Sequence, residues 1–145
     1  MMSEYHLFIV WERARFQQEK ILADIREHFT VVKLYDITWT PELVSSNFTR
    51  FYGENLPSHS DKEQECGTGA FLLVAVRDDK PKYEARVTSH GVEQVNVNMF
   101  DGKAKYREWT GGGHKIHGSN TPKETNHNLT MLLGLNTEDF LKQTK

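Results

Sequence analysis

His114 and His117 lie three residues apart, behind Gly111-Gly112-Gly113 and ahead of Gly118-Ser119-Asn120-Thr121-Pro122-Lys123-Glu124. Glycine lets a ligand approach the backbone closely, because no Cβ stands in the way. Histidine attacks and exchanges protons near neutral pH. Thr121-Pro122-Lys123-Glu124 has the form of a capping box with proline at the first helical position. His117 is therefore expected in a short segment just before a helix N-terminus. Free N–H groups and the positive end of the helix dipole favour an anion there. A nucleophilic or acid–base histidine facing a phosphate is one reading. A plain strand-to-helix turn, with histidines that satisfy backbone groups, is the other. A metal-dependent hydrolase built on His114, His117 and His127 has little support, because no carboxylate stands at a recognisable ligand spacing.

The elements that must position these residues belong to one domain. The chain of 145 residues is long enough for a single domain with its own core, and it shows no linker, repeat or low-complexity tract. Charged residues make up 26% and hydrophobic residues 37%, so the chain reads as polar but globular. The net charge of -2 gives no basic footprint for nucleic acid or an anionic membrane surface. Cys66 is the single cysteine, which excludes an internal disulfide framework and fits a reducing, cytoplasmic setting. Met1 to His6 lacks a basic run and the apolar stretch that follows is short, so neither a leader nor a membrane span is expected.

Leu7-Phe8-Ile9-Val10-Trp11 reads as a buried central strand. Glu12 to Phe29 predicts one helix, with Phe16, Ile21, Leu22, Ile25 and Phe29 on its apolar stripe. Tyr35, Ile37 and Trp39 alternate with polar residues over a strand from Val31 to Thr40. Thr40-Pro41-Glu42 opens a helix that runs to about Tyr52 and stops at Gly53. Glu54 to Glu65 has no periodicity and reads as a surface loop. Ala70 to Val76 is a second buried strand, and Tyr83 to Thr88 a third candidate. Gly91 to Asn98 is ambiguous, and Met99 to Trp109 fits a short helix or a loop. Lys115-Ile116-His117 reads as the last strand and Pro122 to Leu133 as the last main helix, ended by Gly134. Thr137 starts a short tail helix. This order predicts an α/β sandwich, helices over a small sheet.

Ile116-His117-Gly118-Ser119-Asn120 resembles the I-H-G-S-D active-site segment of nucleoside-diphosphate kinases. In that family the histidine is the phosphorylated nucleophile. Weaker likenesses run through most of the chain in order. Arg50-Phe51-Tyr52 resembles the family's R-P-F-F segment at the base site, Thr68 to Val76 its S-G-P-V-V-A-M-V strand, and Ala85-Arg86-Val87 its G-R-V segment. The resemblance implies a ferredoxin-like sandwich over residues 1–145, with an antiparallel sheet of about four strands covered by helices. It also implies a homo-oligomer and Mg²⁺ bound with the nucleotide.

Several positions depart from the family pattern. Its K-P-D lysine after the first strand is replaced by Trp11-Glu12-Arg13, where Arg13 is the available cation. The counterpart of its second phosphate arginine is Lys103, Lys105 or Arg107. The asparagine three before the histidine is His114, and the glutamate eleven after it, which orients the ring, is Asn128.

By this resemblance His117 takes the γ-phosphoryl of a nucleoside triphosphate and passes it to a nucleoside diphosphate or related acceptor. Arg86 and Arg107, with Lys103 or Arg50, hold phosphate oxygens. Phe51 or Tyr52 stacks on the base. Ser119 hydrogen-bonds near the nucleophile, and His114 orients a phosphate or moves a proton. His127 and Asn128 read as residues that cap or decorate the last helix. The alternatives are a nucleotide-binding module that has lost transfer, or another nucleotide-using enzyme on the same fold.

Overall fold

The computed structural model describes residues 2–144. Its main sheet has four strands in the order β2-β3-β1-β6, every neighbouring pair antiparallel. These are β1 (Glu4–Val10), β2 (Thr30–Ile37), β3 (Phe71–Asp78) and β6 (Ile116–Gly118). A separate hairpin joins β4 (Tyr83–Thr88) to β5 (Gly91–Asn96). The helices are α1 (Gln18–His28), α2 (Val44–Tyr52), α3 (Asp61–Cys66), α4 (Val97–Trp109), α5 (Pro122–Leu133) and α6 (Thr137–Gln143). This mixed α/β sandwich is the architecture the sequence order predicts. Among the described residues, no helix is long and apolar enough to cross a membrane.

The continuous apolar runs of β1 and β3 follow from burial on both faces. Side chains alternate across a strand, so each run feeds two cores. Phe8, Val10, Leu72, Val74 and Val76 pack under Ile21, Leu22 and Ile25 of α1 and Met99 and Tyr106 of α4. Leu7, Ile9, Leu73 and Ala75 pack on the opposite face with Val44, Phe48 and Phe51 of α2, Leu129 of α5 and Phe140 of α6. Each such side chain contributes about 1.5–3 kcal/mol by leaving water.

Two expectations are corrected, and one ambiguous stretch takes a definite form. The helix predicted over Glu12 to Phe29 starts as a 3-10 turn, Glu12–Gln17, before α1. That turn has about three residues per revolution, which rotates Phe16 off the apolar stripe, and Phe16 is 71% exposed. The loop predicted over Glu54 to Glu65 ends in α3, whose start is capped by the Ser60 hydroxyl accepting from Glu63 N–H. Gly91 to Asn98 resolves into β5 and the first turn of α4, where the Asn96 side chain accepts from Met99 N–H.

The caps around the last strand form as the sequence predicts. Thr121 Oγ1 accepts from Glu124 N–H at 3.2 Å, and Glu124 reaches back to accept from Asn120 N–H at 2.6 Å. Gly53 and Gly134 end α2 and α5 in the left-handed conformation.

Candidate active site around His117

β6 pairs with β1 through Val10↔Ile116, Ile9↔His117 and Phe8↔Gly118. Alternation sends Ile116 into the α1–α4 core and His117 to the other face, towards α2 and α5. His117 is 7% exposed and lines a cavity of about 1040 Å³. Its Nε2 lies 2.8 Å from Asn128 Oδ1. The ring meets Phe51 nearly edge to face at a centroid distance of 4.9 Å, and Tyr52 at 5.9 Å.

These contacts set the chemical state of the ring. Burial, reinforced by the charges of Lys103, Lys62 and Arg107, pushes the His117 pKa down to about 3 against the Asn128 hydrogen bond. The imidazole is neutral at physiological pH. With Nε2–H donating to the Asn128 carbonyl oxygen, Nδ1 keeps its lone pair. Among the described residues Nδ1 has no hydrogen-bond partner, and the buried atoms without one are Glu63 Oε2 and Thr137 Oγ1. Nδ1 therefore meets the cavity solvent.

Three cations line the same cavity. Lys103 Nζ donates to Asn120 Oδ1 at 3.3 Å, Arg107 Nε donates to the Ile116 carbonyl at 2.9 Å, and Lys62 Nζ donates to the His114 carbonyl at 3.3 Å. Lys62 also sits 4.4 Å from the Tyr52 ring centroid. Among the described residues none of the three pairs with a carboxylate; the ion pairs found involve other residues. Burial and then Arg107 lower the Lys103 pKa to about 8, opposed by Glu124. Burial also lowers Arg107 and Lys62. Partly desolvated positive charge without a counter-ion favours an incoming anion.

The other sequence-derived candidates scatter. His114 stands at the cavity rim, its Nδ1 3.5 Å from Glu65 Oε1. Phe51 and Tyr52 line the cavity but do not present open ring faces: Phe51 is buried, and Tyr52 accepts from Trp11 Nε1–H at 3.1 Å under Lys62. Ser119 is fully buried and turned from His117. Its hydroxyl contacts His6 Nδ1 at 3.0 Å, Leu7 N–H at 3.2 Å and Thr125 Oγ1 at 2.9 Å. Arg86 lies on the hairpin, paired with Asp101 at 3.1 Å and with Glu84. Arg50 is exposed and bonded to Asn47. Arg13 is exposed and does not line the cavity, and its neighbour Glu12 accepts from Gly69 N–H at 3.0 Å. Lys105 pairs with Asp24 at 2.7 Å.

One site residue, Lys62, escapes the sequence reading, and another, Asn128, is only half read. Lys62 enters from α3, a helix too short for periodicity to announce, though Ser60-x-x-Glu63 carries its cap signature. Asn128 is no surface ornament of α5 but the buried partner of His117. The eleven-residue spacing from His117 had already set it at the ring-orienting position of the resemblance.

No protein-family model matches the chain, and no curated protein matches it by sequence. Solved structures do match. The nucleoside diphosphate kinase of Aquifex aeolicus superposes with a TM-score of 0.58 over 91% of this chain and 96% of its own, at 16% identity. The fold is similar to that of nucleoside diphosphate kinases. The Encephalitozoon cuniculi nucleoside diphosphate kinase also gives 0.58, covering 91% of this chain and 90% of its own at 13% identity. At such identities the nucleoside diphosphate kinase likeness establishes the fold alone.

Proposed function

We propose that the chain, as one nucleoside-diphosphate-kinase-like domain over residues 1–145, binds a nucleoside triphosphate and transfers its γ-phosphoryl through His117. The observation that carries this reading is the pairing of a buried neutral imidazole, its Nδ1 open to the cavity, with three cations that have no carboxylate partner.

The Nδ1 lone pair attacks the γ-phosphorus. An Nδ1–P bond forms as the bond from that phosphorus to the β-bridging oxygen breaks, and the diphosphate leaves with the electron pair. The Nε2 proton stays on the Asn128 hydrogen bond. Attack by an acceptor phosphate oxygen reverses the sequence and frees Nδ1. Lys103, Arg107 and Lys62 neutralise charge on the transferring group, which is the main protein contribution in phosphoryl transfer. Among the described residues, the acid and histidine groups converging at metal-ligand distance are Asp24, Glu27 and His28, which line a different cavity. Mg²⁺ carried in with the nucleotide is taken over from the resemblance. A homo-oligomer is carried over from the resemblance.

One observation favours a second reading, a nucleotide-binding module without transfer. Asn128 is neutral, so it fixes the ring without compensating positive charge that develops on a phosphorylated imidazole.

The test is incubation with γ-labelled ATP or GTP and Mg²⁺, beside His117→Ala. An acid-labile, base-stable adduct on the wild type alone supports transfer. No adduct on either, with nucleotide still raising the Tm, leaves the binding module.

A further inference from the structure

Asn120 stands between a carboxylate and an ammonium, and lines the His117 cavity with both of them. Its backbone N–H donates to Glu124 Oε1 at 2.6 Å, and its side-chain carbonyl accepts from Lys103 Nζ at 3.3 Å. Its backbone carbonyl accepts from Asn96 N–H at 2.8 Å. Asn96 has no exposed surface, and its side chain caps the start of α4, the helix that carries Lys103. Asn96 thus holds the helix at one end of the Lys103–Asn120 contact and the turn at the other.

The charges around this contact are unequal. Lys103 is buried. The charged groups that act on it are Arg107 on its own helix and Glu124 on α5. His117 on β6 and His114 in the turn before it are both lowered by the Lys103 charge in turn. Glu124 is therefore the carboxylate that opposes the cations here, yet it forms no ion pair with Lys103. Its carboxylate is turned onto the Asn120 N–H by the capping box, and the Asn120 amide takes the place beside the ammonium.

We infer that Asn120 is a positioning residue that orients Lys103 and leaves its charge available to a phosphate. The inference rests on the phosphate site proposed above. A neutral amide supplies the hydrogen bond that holds the ammonium and adds no counter-charge. A carboxylate at the same point would pair with a desolvated ammonium, and an entering anion would then have to displace it or share the cation. The second contact works in the same direction, because the Asn120 N–H keeps Glu124 engaged with backbone. The ammonium is ordered but uncompensated, the state that favours a phosphate oxygen.

The test is titration calorimetry of the full chain with tripolyphosphate from pH 7 to pH 9. Asn120 is half-buried, so substitution there opens no core cavity. Asn120→Asp keeps the shape and adds the counter-charge. It is expected to weaken tripolyphosphate by about tenfold or more at pH 7. The new carboxylate also holds Lys103 in its charged form, so affinity no longer falls between pH 7 and pH 9. Asn120→Ala removes the contact without adding charge, and is expected to weaken binding by about threefold or less and to keep that fall. Both variants are first checked for an unchanged fold by circular dichroism. ¹³C titration of the Lys103 side chain in the ligand-free protein gives a second reading: the aspartate variant raises its midpoint and the alanine variant does not. Equal losses and the same pH trend in both variants overturn the inference and leave the phosphate site standing. An aspartate variant that binds like the wild type, or an unmoved Lys103 midpoint, overturns it as well. A wild type that binds no tripolyphosphate overturns the phosphate site and this inference together.

Discussion

The side chain of Asn128 holds the ring of His117: Oδ1 accepts from Nε2–H at 2.8 Å, in a setting where both residues are buried. The partner is an amide, so it orders the ring without adding charge. Two consequences can be measured. Asn128→Ala leaves a buried N–H without an acceptor, which costs about 1–3 kcal/mol of stability. It also frees the tautomer, so phosphoryl labelling of His117 is expected to drop by about tenfold or more. Asn128→Asp restores a negative partner and is expected to raise the His117 pKa. A ¹⁵N titration of the imidazole reads both: wild type stays in the Nε2–H form down to pH 5, and the aspartate variant protonates above that. A wild-type ring that titrates near 6.5 would sink the assignment.

Acid stability follows from the same burial. His117 is pushed down to about 3 and His6 is also lowered by burial, against hydrogen bonding from Glu4. In the unfolded chain both titrate near 6.5. Their folded pKa values lie below their unfolded ones, so the unfolded state binds more protons as pH falls. Stability is fully present above pH 6.5 and declines below it, at up to about 1.4 kcal/mol per pH unit for each histidine kept neutral. Urea midpoints from pH 7 to pH 4.5 should trace this decline. His117→Gln removes the more strongly shifted of the two groups and should flatten the slope; an unchanged slope would place His117 outside the effect.

Lys103 makes the proposed anion site pH-dependent in the opposite direction. Its ammonium is buried, bonded to Asn120 and lowered to about 8. Above that pH the free protein loses the charge an anion needs. Tripolyphosphate affinity is expected to fall as pH rises from 7 to 9. Lys103→Gln should lower affinity by about tenfold at pH 7, in line with roughly 1.5–3 kcal/mol for a charged hydrogen bond, and should abolish that part of the pH trend. A variant with unaltered affinity and pH trend would exclude Lys103 from the site.

How much was legible in the chain depends on the length of the element that carried each residue. Leu7 to Trp11 announced its strand because burial on both faces leaves no polar position. Thr121 with Glu124, and the glycines Gly53 and Gly134, fixed helix ends through local chemistry that acts within four residues. His117 was visible because its neighbours formed a motif. Lys62 was not, because α3 has six residues, almost all polar, and reaches the cavity only through tertiary packing. Arg86 looked like a phosphate ligand by order along the chain, but Asp101 on α4 draws it aside by an ion pair that no local pattern encodes. Ser119 lies just past the end of β6, where the strand alternation no longer sets its direction, and its hydroxyl is taken up in the protein interior by His6, Leu7 N–H and Thr125.

The phenylalanines on either side of the first turn give the last prediction. Phe8 has no exposed surface and meets Phe29 and Tyr106 edge to face, at centroid distances of 5.6 and 5.5 Å. Its ring also lies 3.2 Å from the position a Cβ would take on Gly118, directly beside His117. Phe8→Ala therefore opens a cavity under the strand that carries His117 and should cost about 3–5 kcal/mol. Phe16 belongs to the same apolar pattern in the sequence, yet the 3-10 turn leaves it 71% exposed. Phe16→Ala should change stability by no more than about 0.5 kcal/mol. Denaturant unfolding of the two variants separates the cases. Comparable losses at both positions would mean that the 3-10 turn is in fact helix and that the stripe predicted from Phe16 to Phe29 is buried as one surface.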